Sequence, residues 1–323
     1  MLRYTARRLL LLVPVVLGSA VVAFALLLLI PGDPAIALLG QDVSASELAR
    51  FRQLLGLDRP VPVQLVFYLG RIARGDLGTS VTLHAPVLRL IGSTLPATLE
   101  LAAASLFVAI GLGIPMGLLA ARHRGRLADT ATMLVAQLGV SMPVFWLGVL
   151  LILLFAVKLD WLPSFGRGAP LLSALVSGSG ATIADSIQHL ILPAFTLAFF
   201  NLALLSRLTR WALIDVLEED YVRTARAKGQ KERFVVYHHA FRNALLPIVT
   251  IIGLQFGNAL GGAVVTETIY GWPGMGRLVV QAIGQRDFPV VQGAVLLLAL
   301  LFSVVNVIVD LTYALIDPRI RYE

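Results

Sequence analysis

The chain has 323 residues, of which 58% are hydrophobic and 14% charged, where an ordinary soluble domain carries about 25% charged residues; its mean hydropathy is +0.84. These values exclude a disordered chain and a soluble enzyme with a normal polar shell, and they point to a protein embedded in lipid. The absence of cysteine excludes disulfides, thiolate metal sites, iron–sulfur clusters and a cysteine nucleophile. The net charge of +7 is read by where the basic residues fall, because cytoplasmic loops of membrane proteins collect Lys and Arg.

A membrane-crossing helix needs about 20 mostly apolar residues. Six stretches qualify, at 9–30, 95–120, 132–157, 187–206, 245–266 and 290–315. The first follows Arg3, Arg7 and Arg8, as a signal peptide would. Its apolar run is longer than the roughly 7–15 residues of a signal peptide, and no small-residue cleavage site closes it, so it reads as a retained span.

The loop at 31–94 is too long for a simple connector. Ser44 and Glu47 form an S-x-x-E capping box. Leu48, Phe51 and Leu55 follow on one helical face, with Gly56 as C-cap. A second helix fits 62–74, with Pro62 in its first turn and Gly75 ending it. Two readings stand: helices lying on the bilayer surface, or a docking surface for an outer partner. In the spans, Glu100 falls about one turn into the second and Asp310 near the inner end of the sixth. Both are read as structural or interfacial rather than as proton relays. Among milder polar residues, Asn201, Gln255 and Asn258 are ranked as candidate translocation-path residues, the last two sharing a face three positions apart.

The loop at 207–243 carries eight basic and five acidic residues yet keeps helical patterning. Asp220 is read as the cap of a short helix at 221–228, Gly229 as its stop, and 231–243 as a second helix with Phe234, Tyr237 and Phe241 on one face. A basic helix lying on anionic headgroups would carry fewer acids. The acids and the small residues Thr224, Ala225, Ala227 and Gly229 favour a protein-docking elbow. After the fifth span, Gly271, Pro273, Gly274 and Gly276 fall within six residues and build a helix-breaking turn at the outer face, with Trp272 suited to a membrane interface.

On this layout 16 basic residues lie on one side, and only four lie in the short loops of the other. Long loops hardly count toward orientation, so both termini are expected inside. None of the three lysines precedes Ser or Thr, so there is no nucleotide-binding P-loop. There is no H-E-x-x-H or G-x-S-x-G motif. His238 and His239 are adjacent and point to different faces, as interface residues rather than metal ligands.

Several blocks carry a resemblance that spans nearly the whole chain. They are IPGDP after the first span, ARGDLGTS, TLPATLELA, SMPVFWLG, DYVRTARAKG at 220–229, HHAFRNALLPIVT at 238–250, ETIYGWPGMGRL, RDFPVVQG and DPRIRY. Together they resemble the B-type permease subunit of dipeptide/oligopeptide ABC importers. The generic signature of that cytoplasmic loop places Glu-Ala-Ala ahead of its glycine, where this chain has Arg223, Thr224 and Ala225, so no role of the Glu carries over.

The resemblance implies an all-α polytopic protein with six spans, an N-terminal span and structured outer loop at 1–94, and a five-helix permease core at 95–323. Asp220, Tyr221, Thr224, Ala225, Ala227 and Gly229 would couple to an ATPase. Trp272, Pro273, Gly274 and Gly276 would face an extracytoplasmic substrate-binding protein. A second permease subunit would complete the path, and two cytoplasmic ATPase subunits or domains would hold ATP and Mg. No cofactor or metal is expected in this chain, and no nucleic-acid partner. The implied location is the cytoplasmic membrane of a prokaryote. The cargo stays open between dipeptides, oligopeptides, glutathione and nickel chelates. An ion-coupled secondary transporter is the rival class; it is disfavoured because no inverted repeat is visible and the intramembrane acids lie near the surfaces.

Overall fold

Proline starts several helices of this chain and positive-φ glycine ends several. The computed structural model describes residues 2–28, 44–55 and 58–316. The IPGDP block, the C-cap Gly56 and the DPRIRY block lie outside the described residues, as do the side chains of Arg3, Arg7, Arg8, Glu47, Phe51, Leu55 and Asp310.

The described chain is helical throughout, with one isolated bridge between Thr79 and Pro86. In order come α1 (Leu2–Leu28), α2 (Ala45–Leu55), α3 (Val61–Ala73), α4 (Val87–Arg122), α5 (Leu127–Ser141) and α6 (Val144–Leu151), which continues as π-helical turns over Ile152–Lys158. Then follow α7 (Leu171–Ser177), α8 (Gly180–Leu217), α9 (Asp220–Ala227) and α10 (Glu232–Phe234). The last runs through π-helical Val235–Ala240 into α11 (Phe241–Ile269), before α12 (Met275–Gly284) and α13 (Phe288–Ile316). Pro60, Pro143 and Pro170 stand at the N-caps of α3, α6 and α7 with extended ψ, where the missing N–H costs nothing.

By length and composition four helices can cross a membrane: Val87–Arg122, Gly180–Leu217, Pro247–Ile269 and Phe288–Ile308. They become five if the bent pair Leu127–Ser141 and Val144–Lys158 is one span. In α1 the apolar stretch Leu10–Ala25 is shorter.

Three sequence expectations change. The span at 132–157 is not one straight helix: its two halves meet at 107°. Pro143 disfavours helical backbone at Met142, which is extended (φ −86, ψ 122), so α5 stops at Ser141. The fourth span is longer than 187–206, because α8 continues to Leu217. Arg207, Arg210 and Asp215 read as loop by polarity, yet Leu205, Thr209, Ala212 and Leu213 keep one buried face. The second helix of the elbow is not separate, since it runs continuously into α11. The wider π turns rotate the face, so Phe234 and Tyr237 are exposed while Val235, Val236 and Ala240 are buried.

Residue contacts divide the chain into two units. The first comprises the described parts of Met1–Pro96 with Gly274–Val304. Its core joins Val87 and Ile91 of α4 to Met275, Leu278 and Ala282 of α12 and Val290 of α13. Phe24 of α1 packs its ring 5.6 Å from that of Tyr68 on α3. Asp287 is buried and fixes the loop before α4: its Oδ2 accepts from Ser80 Oγ at 2.5 Å, Thr82 Oγ1 at 2.7 Å and Thr82 N at 3.2 Å. Burial opposes ionisation of this carboxyl, but those donors outweigh it and hold its pKa below the ordinary value.

The second unit comprises the described parts of Ala97–Pro273 with Val305–Glu323, and α8 is its central helix, touching α5, α6, α7 and α11. Small residues let backbones approach it closely. A Cβ on Gly117 of α4 would stand 2.5 Å from the Ser206 carbonyl oxygen, and one on Gly139 of α5 would stand 2.6 Å from Ala203 Cβ. The end of this unit next to α9 is held by an apolar cluster of Ala121, Leu205, Ala212, Leu213, Val236, Ala240, Ala244 and Ile248.

Candidate functional site

The short helix α9 is where sequence placed the docking element, and its inner face explains how it is held. Val222 and Ala225 are buried against Val235, with Val216 and Leu217 beside them. Arg226 closes the elbow, donating from Nη2 to Glu232 Oε1 at 2.8 Å and from Nε to Oε2 at 3.2 Å. The hydrogen bonds from Arg226 hold the Glu232 carboxyl below its ordinary pKa, and the same contacts raise that of Arg226. Asn243 Nδ2 donates to Tyr221 Oη at 2.6 Å, tying α9 to the start of α11.

Two of the sequence assignments change here. Asp220 is not the cap: Glu219 holds the N-cap position without a side-chain capping bond, and Asp220 is the first helical residue, favoured there by the helix dipole. Ala225 is not on the outward face, because its short side chain fills the contact with Val222 and Val235. Asp220, Tyr221, Thr224 and Ala227 are exposed, and Thr224 Oγ1 donates back to the Asp220 carbonyl at 2.9 Å. Gly229 is exposed at φ +74, with no atom within 4 Å of where a Cβ would stand. Beside α9 an open cleft of about 450 Å³ is lined by Lys231, Arg233, Phe234, Tyr237 and His238. The Phe234 and His238 rings stack there at 4.6 Å.

Along the spans, Asn201 of α8 and Gln255 of α11 are buried and Asn258 is exposed. Asn258 Nδ2 donates to Gln255 Oε1 at 3.4 Å, while Gln255 Nε2 is buried with no partner among the described residues. At the turn 271–276, expected to face an outer partner, the surface is largely internal. Trp272 is fully buried and donates from Nε1 to the Ala97 carbonyl at 2.9 Å, so its indole is a packing and hydrogen-bonding residue rather than an interface anchor. Gly274 and Gly276 are also buried, and Pro273 is exposed.

Several charged contacts escaped sequence reasoning. Glu100 pairs with Arg167, both largely buried, and accepts from Leu171 N at 3.4 Å. Asp185 Oδ2 accepts from Ala169 N at 3.0 Å and Ser186 Oγ donates to the Ala169 carbonyl at 2.6 Å, so three polar side chains from α4 and α8 fasten the irregular segment that leads into α7. Glu267 is fully buried and accepts from Thr98 Oγ1 at 2.6 Å. Asp129, in the first turn of α5, accepts both arms of Arg210 from α8: Nε to Oδ1 at 2.6 Å and Nη2 to Oδ2 at 2.8 Å. Glu100 and Arg167, Thr98 and Glu267, and Asp129 and Arg210 stand 67, 169 and 81 positions apart, and the Asp185 and Ser186 contacts to Ala169 span 16 and 17, so no local spacing announces them. Among the described residues no cluster of three His, Asp or Glu side chains is arranged to hold a metal.

The sequence matches the family described as binding-protein-dependent transport system inner membrane component over residues 113–322, and the N-terminal membrane component of the same systems over residues 1–102. Full-length relatives include the dipeptide transport system permease protein DppB of Alkalihalophilus pseudofirmus at 43% identity and the di/tripeptide permease DppB of Pseudomonas aeruginosa at 45%. The glutathione transport system permease protein GsiC of Salmonella typhimurium is 44% identical. Each alignment covers 100% of both chains. Among solved structures, a chain of the MetNI methionine ABC transporter in inward-facing conformations aligns with TM-score 0.56 and 17% identity, over 71% of this chain and 97% of that one. At that identity the likeness concerns fold alone.

Proposed function

Because this chain belongs to the family of inner membrane components of binding-protein-dependent transport systems, a multi-pass membrane subunit without ATPase chemistry of its own, we propose that it is one permease chain of an ATP-driven peptide importer. The observation that carries the cargo is full-length identity of 43% and 45% to permeases named for dipeptides and for di- and tripeptides. With a second permease chain it forms half of a translocation path in the cytoplasmic membrane of a prokaryote. Two ATPase subunits or domains on the inner side bind ATP and Mg. A substrate-binding protein delivers cargo on the outer side.

In this reading α1, α4, the bent α5–α6 pair, α8, α11 and α13 are six spans with both termini inside. The exposed face of α9 (Asp220, Tyr221, Thr224 and Ala227) seats on the ATPase, with Gly229 allowing the close turn behind it. Seating matters because α9 is packed and hydrogen-bonded to the ends of α8 and α11, so its displacement moves those helices and changes which side of the membrane the path opens to. Asn201, Gln255 and Asn258 line the path, where side-chain amides can pair with peptide N–H and C=O groups. Pro273 is the exposed member of the outer turn available to the binding protein.

The test is uptake by the complete complex in proteoliposomes containing ATP, offered radiolabelled dialanine and glutathione with the cognate binding protein. ATP-dependent dialanine uptake is the expected result. Uptake of glutathione alone would favour a second reading, which rests on the 44% identity to the glutathione permease. Uptake driven by an ion gradient without ATP would overturn the proposal.

A further inference from the structure

We propose that Asp129 and Arg210 form a clasp that makes α5 move with α8 when the coupling helix moves, so that both are positioning residues for transport. The inference rests on the permease reading above and goes beyond it to a residue pair. Arg210 presents a two-armed contact at 2.6 and 2.8 Å, the geometry that fixes a guanidinium and a carboxylate in one relative orientation. Asp129 Oδ2 also accepts from Gly125 N at 3.0 Å, so the turn leading into α5 is locked to the same carboxylate. The Asp129 side chain is 8% exposed and that of Arg210 27%. Removing one partner therefore leaves a shielded charge uncompensated.

Elsewhere among the described residues the two helices meet through small buried residues rather than through charged or hydrogen-bonded pairs. A Cβ on Gly139 of α5 would stand 2.6 Å from Ala203 Cβ and 3.1 Å from the Phe199 carbonyl oxygen of α8, a close small-residue contact that carries no directional bond of its own. Below the clasp, α8 is continuous to Leu217, whose carbonyl accepts from Arg226 of α9 at 3.4 Å. Val216 and Leu217 pack against Val222 and Ala225. The route from α9 to α5 thus passes through one rigid helix and one directional contact. Above the clasp, α5 leads into the bend at Met142 and Pro143. The second bridge between these regions, Arg124 to Glu218 at 2.6 Å, has side chains 60% and 64% exposed and contributes little holding strength in water.

The experiment uses the assembled complex in proteoliposomes. Cysteines replacing the exposed Leu134 and Trp211, in this cysteine-free chain, carry spin labels that report the α5–α8 distance with and without vanadate-trapped nucleotide. In the otherwise native protein the distance should be the same in both states. With Asp129→Asn it should split or shift on trapping, and dialanine taken up per ATP hydrolysed should fall about fivefold or more, the lower end of ordinary coupling between sites. Arg210→Lys keeps the charge and loses the two-armed geometry, so it should insert normally and show the same splitting to a smaller degree. The exchange Asp129→Arg with Arg210→Asp should recover uptake per ATP. An unchanged distance in both single variants, or uptake and hydrolysis falling in equal proportion, would overturn the clasp and leave the pair a packing contact. Absence of dialanine uptake by the native complex counts against the peptide reading alone, since the distance is read without cargo.

Discussion

Asp287 shows how much one buried carboxylate can organise. Three donors converge on Oδ2 while Oδ1 is buried with no hydrogen-bond partner among the described residues. Because its folded pKa lies below the ordinary value of 3.8, ionised Asp287 stabilises the fold at pH values above that ordinary value. The contribution fades as pH falls through the lowered folded value. Asp287→Asn should therefore melt at a lower temperature than the native chain at pH 7 in detergent, and the gap should narrow below about pH 4. A gap of constant size from pH 7 to pH 3 would mean that shape, not charge, is what the residue supplies. Gly229 makes the complementary case. At φ +74 with open space around it, a side chain costs about 1 kcal/mol of backbone strain and meets nothing in this chain. Gly229→Leu should insert and melt almost normally, yet lose substrate-stimulated ATP hydrolysis in the complex, because the added bulk meets only a docked partner. Full stimulated hydrolysis by this variant would remove α9 from the coupling role.

At the scale of elements, the glycines of α4 separate contact from mere composition. A Cβ on Gly117 would stand 2.5 Å from the Ser206 carbonyl oxygen and 2.6 Å from Thr209 Cβ, whereas one on Gly111 of the same helix would meet nothing within 4 Å. Gly117→Ala should lower the melting temperature, consistent with an overpacking cost of about 1–3 kcal/mol, and Gly111→Ala should leave it unchanged or slightly higher. Equal effects would show that α4 and α8 are not in the close contact described. These helices were partly legible in sequence. Helix α3 falls within a residue of expectation because Pro62 and Gly75 mark its ends, and the turn at Gly229 was marked by its glycine. What stayed illegible has one physical cause. Polarity identifies loops only when polar groups face water, and the Arg210 guanidinium instead faces Asp129, carrying α8 past the expected end. Likewise Trp272 and Ala225 are residue types suited to an interface, but the Ala97 carbonyl that holds Trp272 lies 175 positions away, and Val235 reaches Ala225 only because the chain turns back at Gly229. The bend at Pro143 was carried by a residue visible from the start, and the apolar run around it concealed the break.

For the whole molecule the open question is how many times the chain crosses the bilayer. Four helices are long and apolar enough, and the bent pair raises the number to five. The sixth would be α1, whose apolar stretch Leu10–Ala25 rises only about 24 Å, short of a hydrocarbon core of about 30 Å. The full helix Leu2–Leu28 has 27 residues and rises about 40 Å, enough to cross if its basic first turns remain among the headgroups. The distribution of basic residues favours that crossing, because 126 and 228 fall on the same side as the N-terminus only if α1 and the bent pair both span. Single cysteines at Arg74, Arg126, Lys158 and Lys228, all exposed, test each step with a membrane-impermeant maleimide on intact cells. Cysteines at 74 and 158 should label from outside, and those at 126 and 228 only after permeabilisation. If 126 and 158 label together, the α5–α6 pair dips into the membrane and returns. Labelling of 74 only after permeabilisation would place α1 on the inner surface and invert the predicted exposure of the α2–α3 region, removing it from reach of any outer binding protein.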